Sequence, residues 1–286
     1  MSSRSDCLPD FIIVGAMKCG TSTLAAQLGS QNSVFMTTPK EPNFFSDDDV
    51  FARGMAWYQD LFAPAEPGML KGEASTHYTK LPTYPDTVSR LQSTLPDVKI
   101  VYLIRNPMTR AVSHFIHEWS QGVLDKDLEK ALTTHPEIRE YGCYGAQIRP
   151  FVEAFGREQI LLTSLEQLQA DQDGELNRIA AFLGVEERAV WNHELSRVNA
   201  SSERIRTNKV LDWIIANPVT TELRRRLVPQ ALRSQIRKSL TIQERPEIPA
   251  SQKADLRRAF EADRLELATY FPGHKALDLC YPSPLE

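Results

Sequence analysis

The sequence predicts an α/β fold with a central, mainly parallel sheet and helices on both faces, and three observations predict it. Phe11-Ile-Ile-Val-Gly15 and Lys99-Ile-Val-Tyr-Leu-Ile104 are short, continuous apolar runs rich in β-branched residues, the pattern of strands buried on both faces. Each is followed at once by helix-start chemistry, and strand and helix signals keep alternating along the chain. With 42% apolar and 24% charged side chains in 286 residues, the chain can bury a sizeable core, and disorder, collagen and simple coiled coil are excluded. No Pro/Gly/Ser-rich linker divides it, so a single domain is expected over 1–286, its core at about 10–200 and a helical flank at about 205–286.

The elements follow in order. After the strand that Gly15 closes, Thr21, Ser22 and Thr23 offer N-cap side chains and Leu24, Ala25 and Leu28 an apolar stripe, which together predict a helix. A short strand is predicted at 33–36. Thr38-Pro39-Lys40-Glu41-Pro42-Asn43-Phe44-Phe45 is a loop by its two prolines, with a Lys–Glu pair beside two aromatics. Asp47, Asp48 and Asp49 suit the start of a helix over 50–62. A strand at 70–73 and a helix over 84–95 precede the strand that ends at Ile104.

Pro107 then stands at a first helical position. On that helix Arg110, Ser113, His114 and His117 share one face, and Val112, Phe115, Ile116 and Trp119 share another. Such a polar face most simply meets water. Helices over 144–155 and 174–183 bracket a third strong strand at 159–163. From about residue 210 the pattern turns helical, with Leu256, Phe260, Leu265 and Leu267 placing a helix over 255–270.

Lys plus Arg is 33 against 37 for Asp plus Glu, a net charge of -4 that provides no global field for nucleic acid or a heparin-like polyanion. Any anion site must be local. The longest apolar run, from Phe11 to Met17, falls far short of the roughly 20 residues that span a bilayer, and the N-terminus has no signal-peptide core, so a non-transmembrane, cytoplasmic protein is expected. Cys7, Cys19, Cys143 and Cys280 fall at no zinc-type spacing, so reduced thiols and no metal are expected.

Two constellations carry chemistry. In Gly15-Ala-Met-Lys18-Cys19-Gly20-Thr21-Ser22, a turn between strand and helix aims backbone N–H groups and the positive end of a helix dipole at one spot. Gly20 permits close approach, Thr21 and Ser22 add hydroxyls, and Lys18 adds a full charge, which makes a cradle for a phosphate-like group. The Walker A loop places its lysine after the second glycine, whereas here Lys18 precedes Gly20 by two positions. The second constellation is Arg105-Asn-Pro-x-x-Arg110-x-x-Ser113, whose Arg105 should stand on the same sheet edge as the Lys18 loop.

Lys18-Cys19-Gly20-Thr21 resembles the 5′-phosphosulfate loop of sulfotransferases that use 3′-phosphoadenosine 5′-phosphosulfate, and Arg105 to Ser113 is similar to that family's 3′-phosphate signature. The likeness runs through Glu73-Ala-Ser-Thr-His-Tyr78 and Tyr141-Gly-Cys-Tyr144-Gly-Ala-Gln147 to Val198-Asn-Ala-Ser-Ser202, and is strongest toward bacterial members and heparan N- and 3-O-sulfotransferase-like domains. It implies a P-loop-NTPase-like α/β/α fold. It also implies donor binding by Lys18, Cys19, Gly20, Thr21, Ser22, Thr23, Arg105 and Ser113, and no metal. Lys18 would stabilise the leaving adenosine 3′,5′-bisphosphate, and Glu41, in the position of the family's E-x-x-F-F segment, would be the general base. His117 corresponds to a histidine near the sulfuryl group in N-sulfotransferase-like members. Cys19 most simply contributes a backbone N–H.

The chain departs from the pattern in places. It lacks the heparan-type Cys-flanked loop near the C-terminus, and Asn199-Ala-Ser-Ser-Glu-Arg204-Ile-Arg206 is its candidate substitute, with Arg206 as a donor contact. Ala74-Ser75-Thr76 replaces the Lys-Thr/Ser-Pro of several relatives, and His77 stands where they have a small residue. Arg224, Arg225, Arg226, Arg233, Arg237 and Lys238 form a locally basic surface that suits an acidic carrier or an anionic membrane surface, or is simply solvated. The expected acceptor is a hydroxyl or amine of a small or glycan-like molecule. The alternatives are a P-loop-type kinase of a small metabolite, disfavoured by the displaced lysine, and an inactive nucleotide-binding interaction module.

Overall fold

The computed structural model describes residues 7–198 and 245–283. Five parallel strands make one sheet: β1 (Phe11–Gly15), β2 (Val34–Met36), β3 (Leu70–Ala74), β4 (Lys99–Ile104) and β5 (Ile160–Ser164), in the order β2-β3-β1-β4-β5. The chain leaves β1 for β2 and β3 on one side and then crosses to β4 on the other. The strand order therefore reverses at β1, the place where ligands enter parallel sheets, just beyond the strand C-termini. Every residue of β1 is buried, as its unbroken apolar run requires.

The helices before β4 are α1 (Thr21–Gly29), α2 (Asp48–Phe51), α3 (Gly54–Asp60) and α4 (Thr87–Thr94). Between β4 and β5 come α5 (Pro107–Ser120), α6 (Leu128–Thr134), α7 (Glu137–Glu140) and α8 (Tyr144–Phe155). After β5 follow α9 (Leu165–Ala170), α10 (Gln172–Leu183), α11 (His193–Val198), α12 (Ala250–Tyr270) and α13 (Lys275–Cys280). They flank the sheet in groups: α1 packs with α10 and α11, α8 with α4 and α12, and α5 with α6 and α7.

Three expectations need correction. The helix expected over 50–62 is two short helices, α2 capped by the Asp47 carboxylate at the Val50 N–H, and α3 beginning at Gly54. The N-cap of α1 is Gly20, with no side-chain cap bond, and Thr21 is already inside the helix. The polar face of α5 does not meet water throughout: Arg110 and His114 are fully or almost fully buried. Arg110 Nη2 donates to the Ile138 carbonyl of α7, and its Nη1 lies 3.4 Å from His114 Nδ1. Arg206, the 199–206 loop and the basic surface at 224–238 lie outside the described residues. Among those described, no helix is long and apolar enough to cross a membrane.

Candidate functional site

The loop after β1 climbs beside β4. The Ala16 N–H donates to the Leu103 carbonyl (2.7 Å), so the loop and the end of β4 rise together. Gly20 takes φ 98°, the left-handed turn that lets the chain enter α1 without a Cβ clash. The loop is anchored from beneath by Cys19, whose fully buried Sγ lies 3.5 Å from the Tyr144 hydroxyl. Burial pushes that thiol up to about 11, with the Tyr144 hydrogen bond and the charges of Arg105 and Arg110 only partly offsetting it. Cys19 is thus an inert anchor. Its N–H donates to the Ala16 carbonyl (3.2 Å).

Arg105 stands just past β4, as the strand's apolar run foretells. Its Nη1 donates to the Lys18 carbonyl (3.1 Å) and to Ser113 Oγ (3.3 Å), tying the two sequence constellations into one site. Arg245, which the sequence reading missed, reaches the same hydroxyl. Its Nη2 donates to Ser113 Oγ (3.2 Å) and to the Thr109 carbonyl (2.7 Å). Burial first, and then the charge of Arg105, hold the Arg245 guanidinium below its ordinary value. Arg105 Nε is buried without a hydrogen-bond partner. Among the described residues neither arginine forms an ion pair with a carboxylate, so two positive charges converge on one hydroxyl uncompensated.

The loop carrying Glu41 is docked on the end of β3. The Glu41 N–H donates to the Ala74 carbonyl (3.0 Å), the Asn43 N–H to Ser75 Oγ (3.1 Å) and the Phe45 N–H to the Tyr78 hydroxyl (3.4 Å). Phe44 and Phe45 are fully buried against Tyr58. The Glu41 carboxylate receives Lys40 Nζ (2.6 Å) and Thr76 Oγ1 (3.0 Å). Burial works to raise the Glu41 pKa, but Lys40, Thr76 and the charge of Lys80 outweigh it and hold the carboxyl below its ordinary value. His117 lies half-buried on α5, one turn beyond Ser113, with its charge felt at Glu118.

Backbone strain marks the same two loops. Among the described residues, the non-glycine positions with positive φ are Lys18 (67°), Glu41 (60°) and Asn43 (55°). Each costs on the order of 1–3 kcal/mol, and such residues persist where the surrounding structure over-determines them, commonly at active sites.

Comparison with known proteins accords with this geometry. A family model described as Sulfotransferase domain matches residues 8–265. The chain is 30% identical over 190 residues to heparan sulfate glucosamine 3-O-sulfotransferase 3B1 of Mus musculus, which takes in 62% of this chain and 46% of that protein. It is 25% identical over 197 residues to the bifunctional heparan sulfate N-deacetylase/N-sulfotransferase 1 of Caenorhabditis elegans, covering 63% of this chain and 22% of that one. The matches thus span less than half the length of these curated relatives. A crystal structure of a sulfotransferase from Alicyclobacillus acidocaldarius superposes over 94% of this chain and 98% of its own, with TM-score 0.68 at 24% identity, which bears on the fold.

Proposed function

The chain belongs to the sulfotransferase family, and from that premise we propose that it transfers a sulfuryl group from 3′-phosphoadenosine 5′-phosphosulfate to a hydroxyl or amine of a small or glycan-like acceptor. The observation that carries the reading is the pair of arginines, Arg105 and Arg245, meeting at Ser113 with no carboxylate among the described residues to neutralise them. Their mutual repulsion is relieved by an anion, and the 3′-phosphate of the donor is the anion this edge suits. The buried, unpartnered Arg105 Nε is a donor waiting for the same kind of ligand.

The donor supplies an activated sulfuryl group on a phosphate leaving group. The residues of this chain position and discharge it. The α1 N-terminus at Gly20, Thr21 and Ser22, with Thr23 one position further in, cradles the 5′-phosphosulfate. Lys18 neutralises the bridging oxygen as the sulfur–oxygen bond breaks and its electron pair passes to the nucleotide. Glu41 accepts the acceptor's proton as the new bond to sulfur forms, and its depressed pKa keeps it ionised for that step at neutral pH. His117, on the same helix as Ser113, borders the reacting group.

Calorimetric binding of adenosine 3′,5′-bisphosphate tests the reading without an acceptor. Micromolar affinity, weakened by Arg105→Ala and unmatched by ATP with Mg²⁺, is expected. Preference for ATP with Mg²⁺, or no nucleotide binding, would overturn it in favour of a kinase or a non-catalytic module.

A further inference from the structure

A half-enclosed cavity of about 160 Å³ opens between the start of α5's C-terminal half, α7 and the segment after β3. Lys80, Tyr84, His114, Glu118, His135, Glu137 and Tyr141 line it together with apolar side chains. Its walls are firmly built. The Leu81 N–H donates to Gln147 Oε1 (2.8 Å), Gln147 Nε2 donates to the Leu81 carbonyl (2.7 Å), and the hydroxyls of Thr83 and Tyr141 lie 2.5 Å apart.

The cavity is coupled to Glu41 through one short segment. Thr76 hydrogen-bonds the Glu41 carboxylate, and the next residue, His77, stacks on Tyr84 with ring centroids 4.7 Å apart. Lys80, four residues after Thr76, feels the charges of both Glu41 and Glu118. Residues 76–84 therefore run from the proton acceptor to the cavity wall.

The lining specifies what would bind. Burial pulls His114 down to about 4, so it is neutral at neutral pH, while its neighbour Glu118 is held below the ordinary carboxylate range chiefly by the His114 hydrogen bond. The lining carries one lysine and two glutamates, and the buried Arg110 guanidinium stands behind it, 3.4 Å from His114 Nδ1. Hydroxyls and an ammonium group find acceptors in Glu118 and Glu137, and the faces of Tyr84 and Tyr141 suit the apolar side of a ring. The volume lies below the roughly 300 Å³ of pockets that hold drug-sized ligands, so the occupant is about one ring in size.

We propose that this cavity is the acceptor site and that the acceptor is a single-ring polyhydroxyl molecule, neutral or amine-bearing, rather than a sulfated chain. The proposal rests on the sulfuryl-transfer reading above.

The test is transfer of labelled sulfate by the full chain to glucose, to glucosamine and to a sulfated heparan-type hexasaccharide, with bisphosphate affinity measured alongside. Transfer to at least one of the two monosaccharides is expected, with none to the hexasaccharide. Glu118→Gln should raise the KM of the accepted sugar about tenfold or more, as loss of a charged hydrogen bond does, with bisphosphate affinity unchanged. Glu137→Gln provides the same test should the first variant fail to fold. Transfer only to the hexasaccharide, transfer to neither monosaccharide, or an acceptor KM unmoved in both variants would overturn the proposal while bisphosphate binding stands. Loss of bisphosphate binding in the wild type would instead overturn the sulfuryl-transfer reading itself.

Discussion

At the scale of single residues, backbone strain falls on Lys18 and Glu41, the residues proposed to do the chemistry. Lys18 holds φ 67°, a conformation glycine adopts freely. Lys18→Gly should therefore leave the thermal midpoint unchanged or slightly higher while lowering turnover by about 10²–10³-fold, the cost of removing one group that stabilises developing charge. A fall in midpoint parallel to the loss of activity would mean that Lys18 serves the loop and not the reaction. Glu41 offers a pH test. A general base works only when ionised, so its rate falls as pH drops through its pKa, and the Lys40 ammonium 2.6 Å away helps to keep that pKa low. Lys40→Met leaves burial less opposed, so the acid limb of the kcat/KM profile should move to higher pH. An acid limb that stays in place would remove Glu41 as the base. Lys18, Gly20 and Arg105 were legible because each sits at a fixed offset from a strand whose pattern is unmistakable. Arg245 was not, because it meets Ser113 across 132 positions of sequence and no periodicity encodes that contact.

At the scale of elements, β1 and β4 were readable from continuous apolar runs, and β5 shifted by a single residue. The short helices α6, α7, α9 and α13 escaped because four to seven residues do not complete the two turns on which a 3.6-residue period becomes visible. The buried polar ridge of α5 was misread for a tertiary reason: Arg110 donates to a carbonyl on α7, a helix the sequence does not announce. Likewise the Asp263 carboxylate of α12 receives the N–H groups of Gly145 (2.8 Å) and Ala146 (2.9 Å), so the start of α8 is capped from a remote helix. A Cβ at Gly145 would fall 2.7 Å from the Asp263 carbonyl oxygen, so glycine is what lets these helices approach. On β3, Glu73 is fully buried, with no hydrogen-bond partner in ordinary geometry. Burial pushes its carboxyl up to about 8, while the nearby Tyr78 and Tyr58 phenols offset only part of the rise. The folded protein then keeps a proton that the unfolded chain releases near its ordinary value of 4.5, so stability is full below that value and declines as pH rises toward about 8. Glu73→Gln should remove this decline, giving urea midpoints at pH 5 and pH 8 that lie closer together than in the wild type.

At the scale of the whole molecule, the proposed anion site joins parts of the chain that are far apart in sequence. The loop after β1, the end of β4, the first turns of α5 and the segment leading into α12 meet at Ser113, and two of the four contribute a guanidinium. A doubly phosphorylated nucleotide bound there would cross-link them, and a ligand that binds only the folded state stabilises it by about 2.7 kcal/mol at a hundredfold excess over Kd. Adenosine 3′,5′-bisphosphate should accordingly raise the thermal midpoint of the full chain. Adenosine 5′-monophosphate lacks the 3′-phosphate and should raise it much less at equal concentration. Arg245→Ala should weaken binding of the bisphosphate about tenfold or more, the usual worth of a charge-assisted hydrogen bond, and leave that of the monophosphate unchanged. That difference between two ligands separates a contact with the 3′-phosphate from a general loss of positive field, which would weaken both. Equal weakening would place Arg245 outside the phosphate site and leave Arg105 and Ser113 to hold that group alone.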